Sequence, residues 1–84
     1  MSYFVYILEC KDGSYYTGST TDVDKRFQVH LSGKGASYTR SHKPIRIIYK
    51  EDLQDKSAAL KRELEIKSLT RPEKEILVRS KHHD

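Results

Sequence analysis

A single cysteine, Cys10, excludes any disulfide within the chain. Its place in an apolar stretch marks it as a small buried hydrophobe rather than a nucleophile. Long apolar runs are just as scarce. The one from Tyr3 to Leu8 lacks the basic flank of a leader and falls far short of the roughly 20 residues that cross a bilayer as a helix. A soluble, cytoplasmic protein without a membrane partner is therefore expected. With 84 residues there is no room for a second domain, so residues 1–84 are expected to form one unit with one modest core. Acidic side chains are missing from a whole segment: between Lys25 and Lys50 there are seven Lys or Arg and no Asp or Glu. That stretch carries +7 of a net +4, leaving −3 for the rest. Such asymmetry suits a polyanion, although a solvated basic face would look the same at this level.

What is present falls into a clear order of elements. Tyr3 to Cys10 and Tyr15 to Ser19 are rich in β-branched and aromatic residues and flank Lys11-Asp12-Gly13-Ser14, the pattern of a hairpin. A two-residue turn would place Tyr6 and Tyr16 on opposite faces. A three-residue turn with Gly13 in the left-handed position pairs Leu8 with Tyr16 and brings both phenols to one face. Thr21 and Asp24 resemble a capping box before Val23, Phe27 and Leu31, which predicts a helix over about 22–32 ended by Gly33. A basic loop over 33–44 precedes a third strand over 45–49. A helix over about 56–69 and a last one from near Pro72 complete a ββαβαα chain. The implied class is α+β, a small three-stranded antiparallel sheet flanked by helices.

Several residues carry chemistry. With Ala59 at zero, Glu63 falls at about 40° on its helix, inside the arc from Ile66 near −20° to Leu60 near 100° and Leu64 near 140°. A carboxylate there must be paired, ligate a cation or face a cleft; Lys67 at i+4 supplies the pairing alternative. Arg26 and His30 sit one turn apart and can engage a phosphate and accept a proton, or can be a surface arginine beside a partly buried histidine. Tyr6 and Tyr16 are strand aromatics that would be poor bases, only about 0.1% ionised at pH 7, unless Arg26 and an accepting His30 favour the phenolate. Gly18 either admits a close approach or marks a bulge. Lys34, Arg40 and Lys43, with Tyr38 as a stacking ring, suit a phosphate backbone. The Lys81-His82-His83-Asp84 tail reads as a frayed end rather than a metal tract.

The ordered set Tyr6, Tyr16-Thr17-Gly18, Arg26-x-x-x-His30 and Glu63 resembles the GIY-YIG nuclease superfamily, and within it the small stand-alone proteins of the UPF0213 type. The resemblance extends through Gly33-Lys34-Gly35-Ala36, Tyr38-Thr39-Arg40 and Arg62-Glu63-x-Glu65-Ile66-Lys67. It implies that Tyr16, supported by Tyr6, orients and deprotonates a water. Arg26 would face the scissile phosphate, His30 would hydrogen-bond within the site, and Glu63 would bind one Mg²⁺ or Mn²⁺. The implied activity is a metal-dependent DNA endonuclease, nicking flexible or branched structures with low sequence specificity. The alternative is a non-catalytic nucleic-acid-binding or accessory module in DNA repair or recombination, with DNA favoured over RNA and a protein partner supplying specificity. This chain departs from the family pattern in three ways. Phe4-Val5-Tyr6 lacks the first glycine, Thr17 replaces an isoleucine, and the Asn that follows the metal-binding Glu in many relatives has no counterpart, since the chain contains no asparagine.

Overall fold

The computed structural model describes residues 2–81, so His82, His83 and Asp84 of the basic tail lie outside the described residues. The first two strands, β1 (Tyr3–Cys10) and β2 (Tyr15–Thr20), form the hairpin. Gly13 adopts φ +86°, its N–H donates to the Cys10 carbonyl, and the Cys10 N–H donates to the Ser14 carbonyl. This three-residue turn sets the register Leu8 to Tyr16 and Tyr6 to Gly18, which puts both phenols on one face. The third strand, β3 (Pro44–Leu53), pairs with the other edge of β1, giving an antiparallel sheet in the order β2-β1-β3. It is longer than its apolar run suggests, because its polar residues stay in the ladder through Leu53.

Helix α1 (Val23–Leu31) covers one sheet face. Its N-cap is Asp22, whose carboxylate accepts from the Lys25 N–H, rather than Thr21. Its C-terminus is a Schellman turn. Gly33, at φ +82°, donates to the His30 carbonyl and Lys34 donates to the Val29 carbonyl, satisfying carbonyls that the helix leaves free. The segment expected to be a plain basic loop contains a short helix, α2 (Ser37–Ser41). Five residues are too few to produce an apolar period, and its one buried residue is a threonine.

Helices α3 (Lys56–Lys67) and α4 (Arg71–Lys81) cover the opposite face. Alternation along β1 divides the core accordingly. Tyr6 and Leu8 pack with Val23 and Phe27 on the α1 side, while Val5 and Ile7 pack with Ala59, Ile66 and Val78 on the other. Cys10 is buried, and burial pushes its thiol above the ordinary range. Leu60 and Leu64 were expected inside the apolar arc of α3 but are 44% and 68% exposed. The helix is rotated so that Ala59 and Ile66 meet the sheet, and polar bonds fix the flanks. Arg62 Nε donates to Glu51 at 3.0 Å on one side and Ser19 Oγ donates to Glu63 at 2.8 Å on the other. Among the described residues no helix is long and apolar enough to cross a membrane.

Ile66 is fully buried at the centre of the α3–sheet contact. Ile66→Ala is expected to cost about 2–5 kcal/mol in urea unfolding, against less than about 0.5 kcal/mol for Leu64→Gln on the exposed flank.

Candidate functional site

The register of the hairpin places Tyr6 opposite Gly18, and the Tyr6 ring lies directly over that glycine. A Cβ at position 18 would stand 2.6 Å from Tyr6 Oη, 2.8 Å from Cζ and 3.1 Å from Tyr16 Cε2. Gly18 therefore neither bulges the strand nor leaves an open approach: its missing side chain is the space the Tyr6 phenol fills. The phenol meets His30 from α1 at 2.9 Å, Oη to Nε2. Both residues are 1% exposed, so each polar atom must find a partner within the protein.

The chain of bonds fixes who donates. Thr39 Oγ1–H on α2 donates to the Ala36 carbonyl at 2.9 Å, so the same oxygen accepts from His30 Nδ1–H at 2.8 Å. A neutral imidazole then presents a lone pair at Nε2, and Tyr6 donates to it. Burial, and secondarily the Arg26 charge, pushes the His30 pKa down from 6.5, which agrees with the neutral form. Tyr6 is pushed up to about 12, mainly by burial and then by Tyr16, while the Arg26 guanidinium pulls the other way and the Glu63 charge adds to the rise. The expectation that Arg26 and His30 would favour a phenolate therefore fails at Tyr6, which stays a protonated donor because burial outweighs the guanidinium.

Tyr16 lies beside this pair, its ring centroid 5.0 Å from His30 and 6.3 Å from Tyr6. It is only half-buried, and its outer side carries a stack of rings: Tyr38 at 6.0 Å, then His42 at 4.0 Å and 9° from parallel with Tyr38. Arg26 is exposed on α1 and, with Thr20, Thr21, Asp22, Lys25 and Val29, lines a cleft of about 170 Å³. Arg40 and Lys43 line another of about 290 Å³ with Ser32 and Gly33, and Lys34 is exposed on the loop nearby. Tyr6, Tyr16, His30 and Arg26 thus share the α1 side of the sheet. Glu63 stands on the α3 side and reaches the edge strand β2 through Ser19.

Glu63 is 16% exposed at its side chain, and both its oxygens are engaged, Oε1 by Ser19 and Oε2 by Lys67 Nζ at 2.7 Å. The pairing alternative is what the structure holds. Among the described residues no three His, Cys, Asp or Glu side chains converge as a metal cluster. One carboxylate with substrate oxygens and waters is still a sufficient set for Mg²⁺, so Glu63 fits the ion if the half-exposed Lys67 swings away.

Three residues of this constellation carry no signal in the sequence read alone: Thr39, Ser19 and Gly35. Thr39 is buried and sets the His30 tautomer. A Cβ at Gly35 would lie 2.3 Å from His30 Nδ1, so this glycine is the wall against which the imidazole packs. Thr39 and Gly35 lie within quoted motifs and Ser19 lies in β2, but the role of each depends on a tertiary contact with His30 or Glu63.

Gly18→Ala is expected to cost about 1–3 kcal/mol and to break the Tyr6–His30 bond, read as loss of the slowly exchanging His30 Nδ1–H resonance. The pH profile follows from proton counting. Between pH 10 and about 12 the folded state holds a proton on Tyr6 that the unfolded state has lost, so its stabilisation is complete below pH 10 and lost as pH rises through 12. For His30 the sign is reversed: stability is present above pH 6.5 and falls as acid protonates the unfolded chain first. Urea melts across pH 4–12 should show both limbs, and Tyr6→Phe should shrink the alkaline one.

The GIY-YIG catalytic domain model matches residues 2–76 of this chain. The UPF0213 protein BH0048 of Halalkalibacterium halodurans is 54% identical over 78 residues, covering 93% of this chain and 83% of that protein. The UPF0213 protein H16_B0156 of Cupriavidus necator is 55% identical over 73 residues, covering 87% and 79%. Among solved structures, the solution NMR structure of BH0048 superposes with a TM-score of 0.63 at 53% identity, over 96% of this chain and 86% of that one. The NMR structure of EF2693 from E. faecalis gives 0.67 at 38% identity, over 100% and 90%. With its sheet order, its paired phenols across Gly18 and these matches, the chain belongs to the GIY-YIG catalytic-domain family, in its UPF0213 group.

Proposed function

We propose that this chain is a nucleic-acid-binding module that holds a phosphate backbone against its α1–α2 side, serving as an accessory domain in DNA repair or recombination. The carrying observation is the acid-free segment. All seven of its cations, Lys25, Arg26, Lys34, Arg40, Lys43, Arg46 and Lys50, are exposed. Only Arg46 turns to the other face, where it pairs with Glu9; Lys50 packs over Phe4 on the α1 side. Backbone contacts of this kind supply affinity without sequence, so a DNA partner would be held with low specificity and a protein partner would direct it. Binding should weaken steeply with salt. Lys34→Ala, Arg40→Ala and Lys43→Ala should each lower affinity for every DNA sequence tested and reduce the salt slope by about 1, as measured by fluorescence anisotropy from 50 to 200 mM salt. Salt-independent binding would end this reading.

A second reading, metal-dependent phosphodiester hydrolysis, is supported by one arrangement: Tyr16, Arg26 and Glu63 placed around the strand that carries Gly18. Tyr16, next to a neutral His30 and a phenol fixed as donor, is the residue that would orient the attacking water. Arg26, exposed at the rim, would bind the phosphate and stabilise the charge that builds on it. Glu63 would hold one Mg²⁺ or Mn²⁺, which when bound supplies Lewis-acid stabilisation of the phosphate. Tyr6 and His30 act here as positioning residues. In a panel of single-stranded, duplex, flap and branched DNA, cleavage with Mg²⁺ or Mn²⁺ but not EDTA, lost in Glu63→Ala and Arg26→Ala, is the outcome this reading requires. Intact substrate under all metals, with salt-sensitive binding, leaves the accessory role alone.

A further inference from the structure

The hairpin turn and the junction between α2 and β3 flank a cleft of about 290 Å³ of which the readings above use only Lys43, lined by Lys11, Asp12, Ser41, His42 and Lys43. Its two walls are tied by a backbone bond from the Lys11 N–H to the Lys43 carbonyl at 2.7 Å, so the cleft exists before any ligand arrives. One face of the His42 ring is already stacked on Tyr38, 4.0 Å between centroids and 9° from parallel. His42 Nδ1–H donates to the Tyr38 carbonyl at 3.0 Å, which fixes the ring in place. Among the described residues no second ring stacks on His42, and its side chain is 36% exposed where it lines the cleft. Asp12 is oriented just as firmly: Oδ1 accepts from Ser14 N–H at 3.1 Å and from Ser14 Oγ at 2.6 Å. That leaves Oδ2, 3.7 Å from His42 Nε2, as the acceptor in the cleft.

We propose that this cleft docks an unpaired nucleobase bearing an exocyclic amine, stacked on His42, donating to Asp12 Oδ2, with its flanking phosphates on Lys11 and Lys43. The inference rests on the nucleic-acid reading and narrows it to single-stranded or splayed substrate. A fixed aromatic plate, two ammonium groups and one carboxylate acceptor are the three elements that recognise a nucleotide by stacking, charge and base edge. A base within a duplex cannot stack on His42, because both its faces are covered by its neighbours. The volume admits a planar heterocycle. Tyr38, the candidate stacking ring of the sequence, is itself 37% exposed; it carries His42 on one face and through Tyr16 connects the cleft to the Tyr6–His30 pair.

The test uses 5′-labelled single strands of equal length and charge, oligodeoxycytidine, oligothymidine and an abasic backbone, together with a duplex, in anisotropy titrations at fixed salt. Oligodeoxycytidine should bind about tenfold tighter than the abasic strand, and more tightly than oligothymidine, which shows a carbonyl where cytosine shows its amine. His42→Ala should erase the difference between base-bearing and abasic strands while leaving the salt slope unchanged. Asp12→Asn is the sharper variant. Ser14 holds the side-chain oxygen on the turn and so aims the amide nitrogen into the cleft, and the preference should reverse toward thymine. A merely structural role for Asp12 would not reverse it. Equal binding of abasic, base-bearing and duplex forms, still salt-sensitive, overturns the base cleft and leaves the backbone reading intact; no binding of any strand overturns both.

Discussion

The Tyr6 phenol, laid across Gly18 and donating to His30, is the contact on which the α1 side of this protein depends. Three elements meet in it: β1 supplies the ring, β2 supplies the absence of a side chain beneath it, and α1 supplies the acceptor. Through Thr39 the same chain of bonds reaches α2. A buried phenol and a buried imidazole would each be costly alone, since an unmatched polar atom in the interior loses about 1–3 kcal/mol. Joined in one direction, they are satisfied, and the direction is set by the Ala36 carbonyl, which can only accept. The polarity of the network therefore originates in the Ala36 carbonyl, three hydrogen bonds along the chain from Tyr6.

That polarity separates the two tyrosines. They share a face and a neighbour, yet Tyr6 is buried, committed as a donor and raised to about 12, whereas Tyr16 is only partly buried. Chemistry that needs a water-facing phenol would fall to Tyr16. The equivalence the two residues have in the sequence disappears once burial is known.

The main elements were readable from residues because local rules dictated them: the valine, phenylalanine and leucine of α1 recur at helical spacing. The register was not, since Lys11-Asp12-Gly13 admits a two-residue or a three-residue turn, and only the positive φ of Gly13 with its bonds across the turn decides for Leu8 opposite Tyr16. Glu63 stood out because a carboxylate broke an apolar arc, and its pairing with Lys67 was visible as an i,i+4 relation. What escaped lies in tertiary contacts. The short α2 has no period to detect, and Thr39 and Gly35 matter only because His30 arrives beside them. The rotation of α3, which exposes Leu60 and Leu64, is decided by Arg62 bonding to Glu51 across the sheet and Glu63 to Ser19. Two flanking polar bonds and close seating of Ala59 and Ile66 outweigh the exposure of two leucines, a balance no helical wheel contains.

On the hydrolysis reading, Glu63 would tie binding and cleavage to one electrostatic competition. Its carboxylate already has a cation, the Lys67 ammonium, at 2.7 Å. The Lys67 end of the pair is half-exposed, so water can take over the ammonium if it leaves. A divalent ion would bring twice the charge, but an ion with one protein ligand must draw its remaining oxygens from water and from substrate phosphate. The basic α1–α2 side and the Glu63 edge would then act in sequence: phosphate held by the first completes the coordination that the second begins. On the two readings proposed above, accessory binding and catalysis would differ by whether the bound backbone reaches the β2 edge, which would depend on where the strand enters.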